Sequence, residues 1–376
     1  MNSQTLSEAQ SSTFKSAESP GRHRSGLGAG LILTFGLAAL SVGCGTLLAK
    51  PASFLPAIDP IVLAITLGLL VGNLFRPSVR FLAGIKYSSK QLLAVAIVLM
   101  GARLDFSSVF QVGLLGLGLC LGVITLAFLS FYGLSRVLRL DRTEGCLLAV
   151  GTAICGGSAI LAVAPLLKAR EEQVVAGVAT VVMLGLFAMF LLPMVAGLLE
   201  LSPTQYGVWA GLTIHQTPQV IAAGFAHGTA AGEAATLVKL VRICFLAPVA
   251  FGLGILAARR GHASCRQPMT PARALALVPG FILGFLALAL CRTLGFIPDL
   301  GFTWTTPLFN HPVATELSLH NAFGHISSFL LIVSMAAVGL ETDFRVLRKM
   351  SLRPVLAAII TSLIIGAATL LVLCLQ

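Results

Sequence analysis

About eleven uninterrupted apolar runs, most close to 20 residues long, decide what this chain can fold into. A helix advances about 1.5 Å per residue, so roughly 20 apolar residues cross the ~30 Å of hydrocarbon in a bilayer. In lipid every backbone polar group must be satisfied internally, and a helix does this within one segment. A β-barrel is excluded, since its strands would alternate polar and apolar residues over much shorter segments. The runs fall at about 28–48, 59–75, 89–103, 111–135, 145–167, 173–199, 206–226, 234–258, 272–295, 318–340 and 353–375. The third is the shortest. A mean hydropathy of +0.95 with only 10% charged residues leaves no room for a soluble-core reading. The expected fold is therefore an all-α polytopic membrane protein over residues 28–376. Residues 1–27 are polar, Ser-rich and poor in large apolar side chains, and are expected to form a disordered cytoplasmic tail. The first run is too long for a signal peptide, and no small-residue cleavage site follows it.

Orientation follows from the 25 Lys and Arg. With a cytoplasmic N-terminus, eighteen fall in inside segments and five in outside segments, the other two being Lys239 and Arg242. That bias puts the C-terminus in the periplasm and the chain in a bacterial inner (plasma) membrane. The net charge of +11 then reports topology and contact with anionic lipid, with no nucleic-acid partner implied.

Lys239 and Arg242 lie inside the run at 234–258, and no carboxylate within the spans is available to pair with them. An ionised side chain deep in a bilayer costs a few kcal/mol or more, so it faces a cavity, pairs, or meets the transported species. The competing reading is that Lys239 snorkels to the headgroups and Arg242 donates to helix carbonyls. Read as cavity-facing charge, Arg242→Gln is expected to abolish transport without affecting insertion.

Three polar segments are expected to break a helix at membrane depth. The first is Gly151-Thr-Ala-Ile-Cys-Gly-Gly-Ser-Ala-Ile160, with Thr152, Cys155, Gly156, Gly157 and Ser158 as candidate binding residues. The second is Gly211-Leu-Thr-Ile-His-Gln-Thr-Pro-Gln219, offering His215, Gln216, Thr217, Pro218 and Gln219. The third is Asn321-Ala-Phe-Gly-His-Ile-Ser-Ser328, offering Asn321, His325, Ser327 and Ser328. Each motif alone reads equally well as a close-packing surface or an interhelical hydrogen bonder. Three such breaks beside a cationic helix favour a substrate site. A short similarity of residues 92–106 with 330–344, sharing Gly101 with Gly339, Asp105 with Asp343 and Phe106 with Phe344, adds an inverted repeat of the kind secondary transporters use.

Absences narrow the reading further. The acids fall in the tail, at span ends or in loops, so no buried carboxylate is offered to a coupling cation. No HExxH, phosphate-binding loop, nucleophile elbow or intramembrane Asp pair is present, which argues against an enzyme. The eight cysteines contain no CxxC, and neither metal nor other cofactor is expected.

The ordered set GTAICGGSAI, KAREEQ, GLTIHQTPQVIAAG, LVKLVRICFLAPV and VGLETDF resembles the YeiH-type family labelled as sulfate exporters, over about residues 30–376. The resemblance implies kinship of fold with cation/proton antiporters and bile-acid sodium symporters. It implies inverted repeats with two broken helices crossing at the midplane, GGSAILAVAPLLK being the first and HISSFLLIVSMAAVGLETD the second. The expected function is a secondary transporter of a small anion, sulfate or sulfite first. The alternatives are a sodium-coupled organic-anion symporter and, from another class, a non-transporting assembly or sensor subunit. Expected partners are the anion, a proton or sodium coupling ion, the lipid bilayer and a second copy in a homodimer. Residues 296–317 read as a periplasmic lid or an interfacial segment held by Trp304.

Overall fold

The computed structural model describes residues 20–48, 59–104, 106–259, 270–296, 299–305, 312–345 and 351–375. All eleven expected spans are helical. Seven helices are long and apolar enough to cross a membrane: Gly26–Leu47, Val79–Arg103, Gly116–Val137, Glu171–Leu198, Thr229–Ala257, Asn321–Glu341 and Leu352–Cys374. Two shorter apolar helices, Pro60–Leu74 and Gly280–Thr293, and two broken ones account for the rest. Among the described residues the one sheet is an antiparallel pair, β1 (Asp299–Thr305) with β2 (Pro312–Ser318), registered Asp299 to Ser318 and Thr305 to Pro312. This hairpin occupies most of the segment expected to be a lid or interfacial loop, and the side chain of Trp304 lies outside the described residues.

The chain divides into two compact units, residues 1–94 with 329–343, and residues 95–328 with 344–376. The first unit is built on close glycine crossings. Helix α1 (Pro20–Leu48) packs on α2 (Pro60–Leu74) and on α3 (Val79–Tyr87), which runs through a π-helical turn at Ser88–Leu92 into α4 (Leu93–Met100). A Cβ on Gly84 would lie 2.6 Å from the Cα of Gly30, so only glycine lets these backbones meet. Buried Thr34 and Ser88 close that crossing with a 2.9 Å hydrogen bond. Helix α2 lies in the same way against the C-terminal part of the long helix Leu319–Glu341, where a Cβ on Gly339 would lie 2.7 Å from Leu69 N.

Two boundaries differ from expectation. Helix α1 begins at Pro20, a residue tolerated in a first helical turn, so 20–27 are helical, with the apolar span starting at Gly26. Residues 1–19 lie outside the described residues. The third span, expected at 89–103, starts at Val79, because the charges of Arg80, Lys86 and Lys90 hide the start of a helix whose Ser88 and Ser89 are buried.

The second unit holds α5 (Phe106–Val137), α6 (Arg142–Ala153), α7 (Gly157–Val163), α8 (Glu171–Leu198), α9 (Pro203–Thr213), α10 (Thr217–Phe225), α11 (Thr229–Cys244), α12 (Leu246–Arg259), α13 (Pro271–Leu275) and α14 (Gly280–Thr293). It also takes the N-terminal part of α15 (Leu319–Glu341) and all of α16 (Leu352–Cys374). Helix α11 is the centre of this unit, packing on α5, α9 and α10. Its approach to α9 again uses glycine, since a Cβ on Gly211 would lie 2.8 Å from Ala235 O. From Tyr206 to Thr213 every residue of α9 is buried, as is every residue of α6 from Leu147 to Ala153, so the broken helices form the core.

Candidate functional site

The two broken helices are 142–163 and 203–225. In the first, α6 stops at Ile154 (φ −120°, ψ −92°) and α7 restarts after Gly156, whose φ of +71° is strained for any residue with a side chain. A Cβ there would also lie 2.8 Å from Gln216 Cγ, so the first break seats directly on the second. In the second, Ile214, His215 and Gln216 leave the helix, and Pro218 stands in the first turn of α10 where its missing N–H costs nothing. Asp141 anchors the N-terminal end of α6, accepting from Thr143 N at 2.8 Å and from the Gln173 amide at 3.1 Å. Burial works to raise its carboxyl, but the N–H groups of Thr143 and Glu144 and the Gln173 amide outweigh it and hold the group below the ordinary carboxylate range.

Lys239 and Arg242 are fully buried on α11 and lie on one helix face, three residues apart. Lys239 Nζ donates to Ile214 O at 2.9 Å and to His215 O. Arg242 donates through Nε to Ala153 O at 2.7 Å, through Nη1 to Gly211 O and Ile214 O at 3.2 Å each, and through Nη2 to Thr152 O. Neither snorkels. Lys239 caps the C-terminal end of α9 and Arg242 caps those of both α6 and α9, whose last carbonyls have no helical donor. Two such ends together carry about one negative charge, against two positive side chains. The N-terminal ends of α7 and α10 point the positive pole of the backbone into the same crossing, and no side chain caps either. Among the described residues no acid pairs with the two cations; the ion pair found there is Arg103 with Glu233 at 3.6 Å, toward the start of α11.

Polar side chains gather here as well. His215, Gln219, Thr152 and Thr213 are buried, and His215 Nδ1, Gln219 Oε1, Thr152 Oγ1 and Thr213 Oγ1 have no partner; on α16 Thr361 Oγ1 is the same. Cys155 Sγ lies 2.9 Å from the exposed Ser158 Oγ. Twelve of the sixteen candidate residues therefore belong to this crossing: Thr152, Cys155, Gly156, Gly157, Ser158, His215, Gln216, Thr217, Pro218, Gln219, Lys239 and Arg242.

The other four do not. Helix α15 is continuous from Leu319 to Glu341, so the expectation that 325–343 forms the second broken helix is corrected to 203–225. The reason is local. No proline interrupts α15, Ser327 donates to Ala96 O at 2.7 Å and Ser334 to Leu330 O at 2.7 Å, so its hydroxyls are satisfied without unwinding. Gly324 faces the Arg103 side chain, Asn321 and His325 are exposed, and none of the hydrogen bonds found for Asn321, His325, Ser327 or Ser328 reaches the crossing. Conversely, Ser362 on α16, 3.1 Å from His215 Nε2, and Gly185 on α8, which makes room for Gln219, were not singled out in the sequence. A Thr-Ser pair within an apolar span was the available signal for the former.

A family model described as conserved hypothetical protein 698 matches residues 29–358. A UPF0324 membrane protein of Bradyrhizobium diazoefficiens is 39% identical over 310 residues, 82% of each chain. One of Agrobacterium fabrum is 34% identical over 330 residues, 87% of this chain and 88% of its own. One of Oceanobacillus iheyensis is 32% identical over 331 residues, 87% of this chain and 90% of its own.

Proposed function

The chain belongs to the membrane-protein family described as conserved hypothetical protein 698, and on that footing we propose that it is a secondary transporter of a small anion, acting at the crossing of its two broken helices. The observation that carries this reading is the charge at the crossing. Lys239 and Arg242 are wholly buried, no acid among the described residues pairs with them, and the backbone ends they cap offset only about half of their charge. A compact anion at the uncapped start of α10 restores the balance, which is how helix N-termini hold phosphate and sulfate elsewhere. The two cations then act on the anion through their field, and their hydrogen bonds hold the breaks open. Sulfate and sulfite are the first candidates, carried by alternating access as in other transporters built on interrupted helices. The chain works in this reading as a carrier and not as an enzyme, in a bacterial inner membrane with its N-terminus cytoplasmic.

Purified protein in proteoliposomes, offered radiolabelled sulfate, sulfite, thiosulfate and a panel of carboxylates under imposed proton or sodium gradients, tests the proposal. Gradient-dependent accumulation of at least one of these anions is expected. Absence of uptake for the whole panel under both gradients would refute it. The sodium-coupled alternative draws support from the unpaired oxygens of Thr152, Thr213 and Gln219, and it requires uptake that follows the sodium gradient alone.

A further inference from the structure

The hydrogen bonds around His215 say which atoms of a ligand this crossing lacks. Ser362 has one hydroxyl hydrogen and donates it to Ala358 O at 2.7 Å. Its oxygen must therefore accept from His215 Nε2, 3.1 Å away, and Nε2 carries the ring hydrogen. That leaves Nδ1 as a bare acceptor on a side chain only 1% exposed, without a partner. A second ring hydrogen would add a third buried positive charge to a crossing that already holds Lys239 and Arg242 without an acid. Gln219 repeats the pattern. Its amide nitrogen donates to Val182 O at 2.9 Å, so Oε1 is an acceptor, and it too is buried and unpaired. His215 and Gln219 flank the first turn of α10, and both sit beside Gly185 of α8, whose Cβ position would overlap Gln219 Oε1 and lie 3.5 Å from His215 Cβ.

A ligand that only accepts hydrogen bonds would satisfy the α10 N-terminus and leave both acceptors bare. We infer that the anion of this site carries its own hydrogen: a monovalent oxyanion of the hydrogensulfite or hydrogencarbonate type, its oxygens on the N–H groups of α10 and its hydroxyl donating to His215 Nδ1 or Gln219 Oε1. Fully deprotonated sulfate is the disfavoured ligand. This inference rests on the anion-site reading above and narrows its substrate class. Sites built to pair a hydroxyl reject analogues that lack one far more strongly than apolar pockets reject a change of size.

Calorimetric titration of the full-length protein in detergent tests it with four probes: sulfite, sulfate, methanesulfonate and sodium chloride. Sulfite exchanges a proton near neutrality, sulfate stays a dianion, and methanesulfonate is a monoanion with no hydrogen to donate. Methanesulfonate also reports any change in the charged groups nearest His215, namely Arg242 and Lys239 on α11. The expected result is an apparent Kd for total sulfite that tracks the hydrogen-bearing species from mildly acidic to mildly alkaline pH. That species should bind about tenfold or more tighter than sulfate or methanesulfonate. In His215→Ala and Gln219→Ala the ratio between hydrogensulfite and methanesulfonate should fall toward one, a comparison made within each variant and so independent of its yield. Sulfate or methanesulfonate binding as tightly as hydrogensulfite overturns the inference and leaves the anion site standing. Heat from sodium with any counter-ion, or no binding of any probe, overturns both.

Discussion

At the scale of single residues, Arg242 carries the largest expectation. Its guanidinium reaches carbonyls of two separate helices, Thr152 and Ala153 on one and Gly211 and Ile214 on the other. A lysine has one ammonium and cannot span both, so Arg242→Lys should strand buried carbonyls at about 1–3 kcal/mol each. A fall in the thermal unfolding temperature of the detergent-solubilised variant, larger for Arg242→Gln, checks this. The sequence reading expected Arg242→Gln to leave insertion intact; the capping geometry adds that the inserted protein should be less stable. Gly156→Ala should cost about 1–2 kcal/mol, from the left-handed backbone and the Gln216 side chain it meets. Gly157 is different, because its Cβ position lies 3.1 Å from Val178 Cγ1 and 3.6 Å from Gln216 Nε2 at an ordinary φ. Gly157→Ala should remain folded with reduced anion affinity, and Gly157→Leu should both unfold more readily and fail to bind. A Gly157→Leu protein of unchanged stability and affinity would place the site elsewhere.

At the scale of elements, what separates a broken helix from a whole one is whether the polar groups find partners without unwinding. The 203–225 helix breaks where proline removes a donor and Lys239 and Arg242 stand ready to take up the exposed carbonyls. Helix α15 has glycine and serines but no proline, and the cation beside its Gly324, Arg103, pairs with Glu233, so the helix stays whole. If α15 contributes only packing, Asn321→Ala and His325→Ala should keep transport within about twofold of the parent, as exposed substitutions generally do. A tenfold loss in a proteoliposome assay would return those residues to the site. The glycine crossings make a separate prediction. Gly84→Ala puts a methyl 2.5 Å from Leu31 N, and overpacking of this kind costs about 1–3 kcal/mol, read as faster proteolysis within the first unit. The two aligned glycines of the short repeat are both crossing points, Gly101 against Phe285 and Gly339 against α2, so that similarity has a packing reason.

At the scale of the whole molecule, the basic residues should fix how the chain lies in the membrane. Reporter fusions at residues 140, 264 and 376 should read inside, inside and outside, the arrangement that eighteen inside cations against five outside demand. An inside reading at 376 would contradict both the charge count and the eleven-span order. The +11 net charge then belongs to the cytoplasmic face, and it predicts closer association with anionic lipid than with a neutral bilayer.

Sequence alone settles the class and the eleven helical runs, and its three candidate breaks include the two places where helices open, because the hydrocarbon length, the glycine pair and the proline act locally. It also singles out Lys239 and Arg242, since a charge in an apolar run is visible without a structure. Only the tertiary structure decides what the two cations touch, because capping a carbonyl requires the end of another helix to arrive within hydrogen-bond reach. The same holds for Ser362 and Gly185, which matter through His215 and Gln219, far away along the chain. It holds too for α15, where three serines and histidines look like a break until Ser327 is found bonded to Ala96 O. A polar residue in a membrane helix declares that it needs a partner; which partner it gets depends on which helices pack around it.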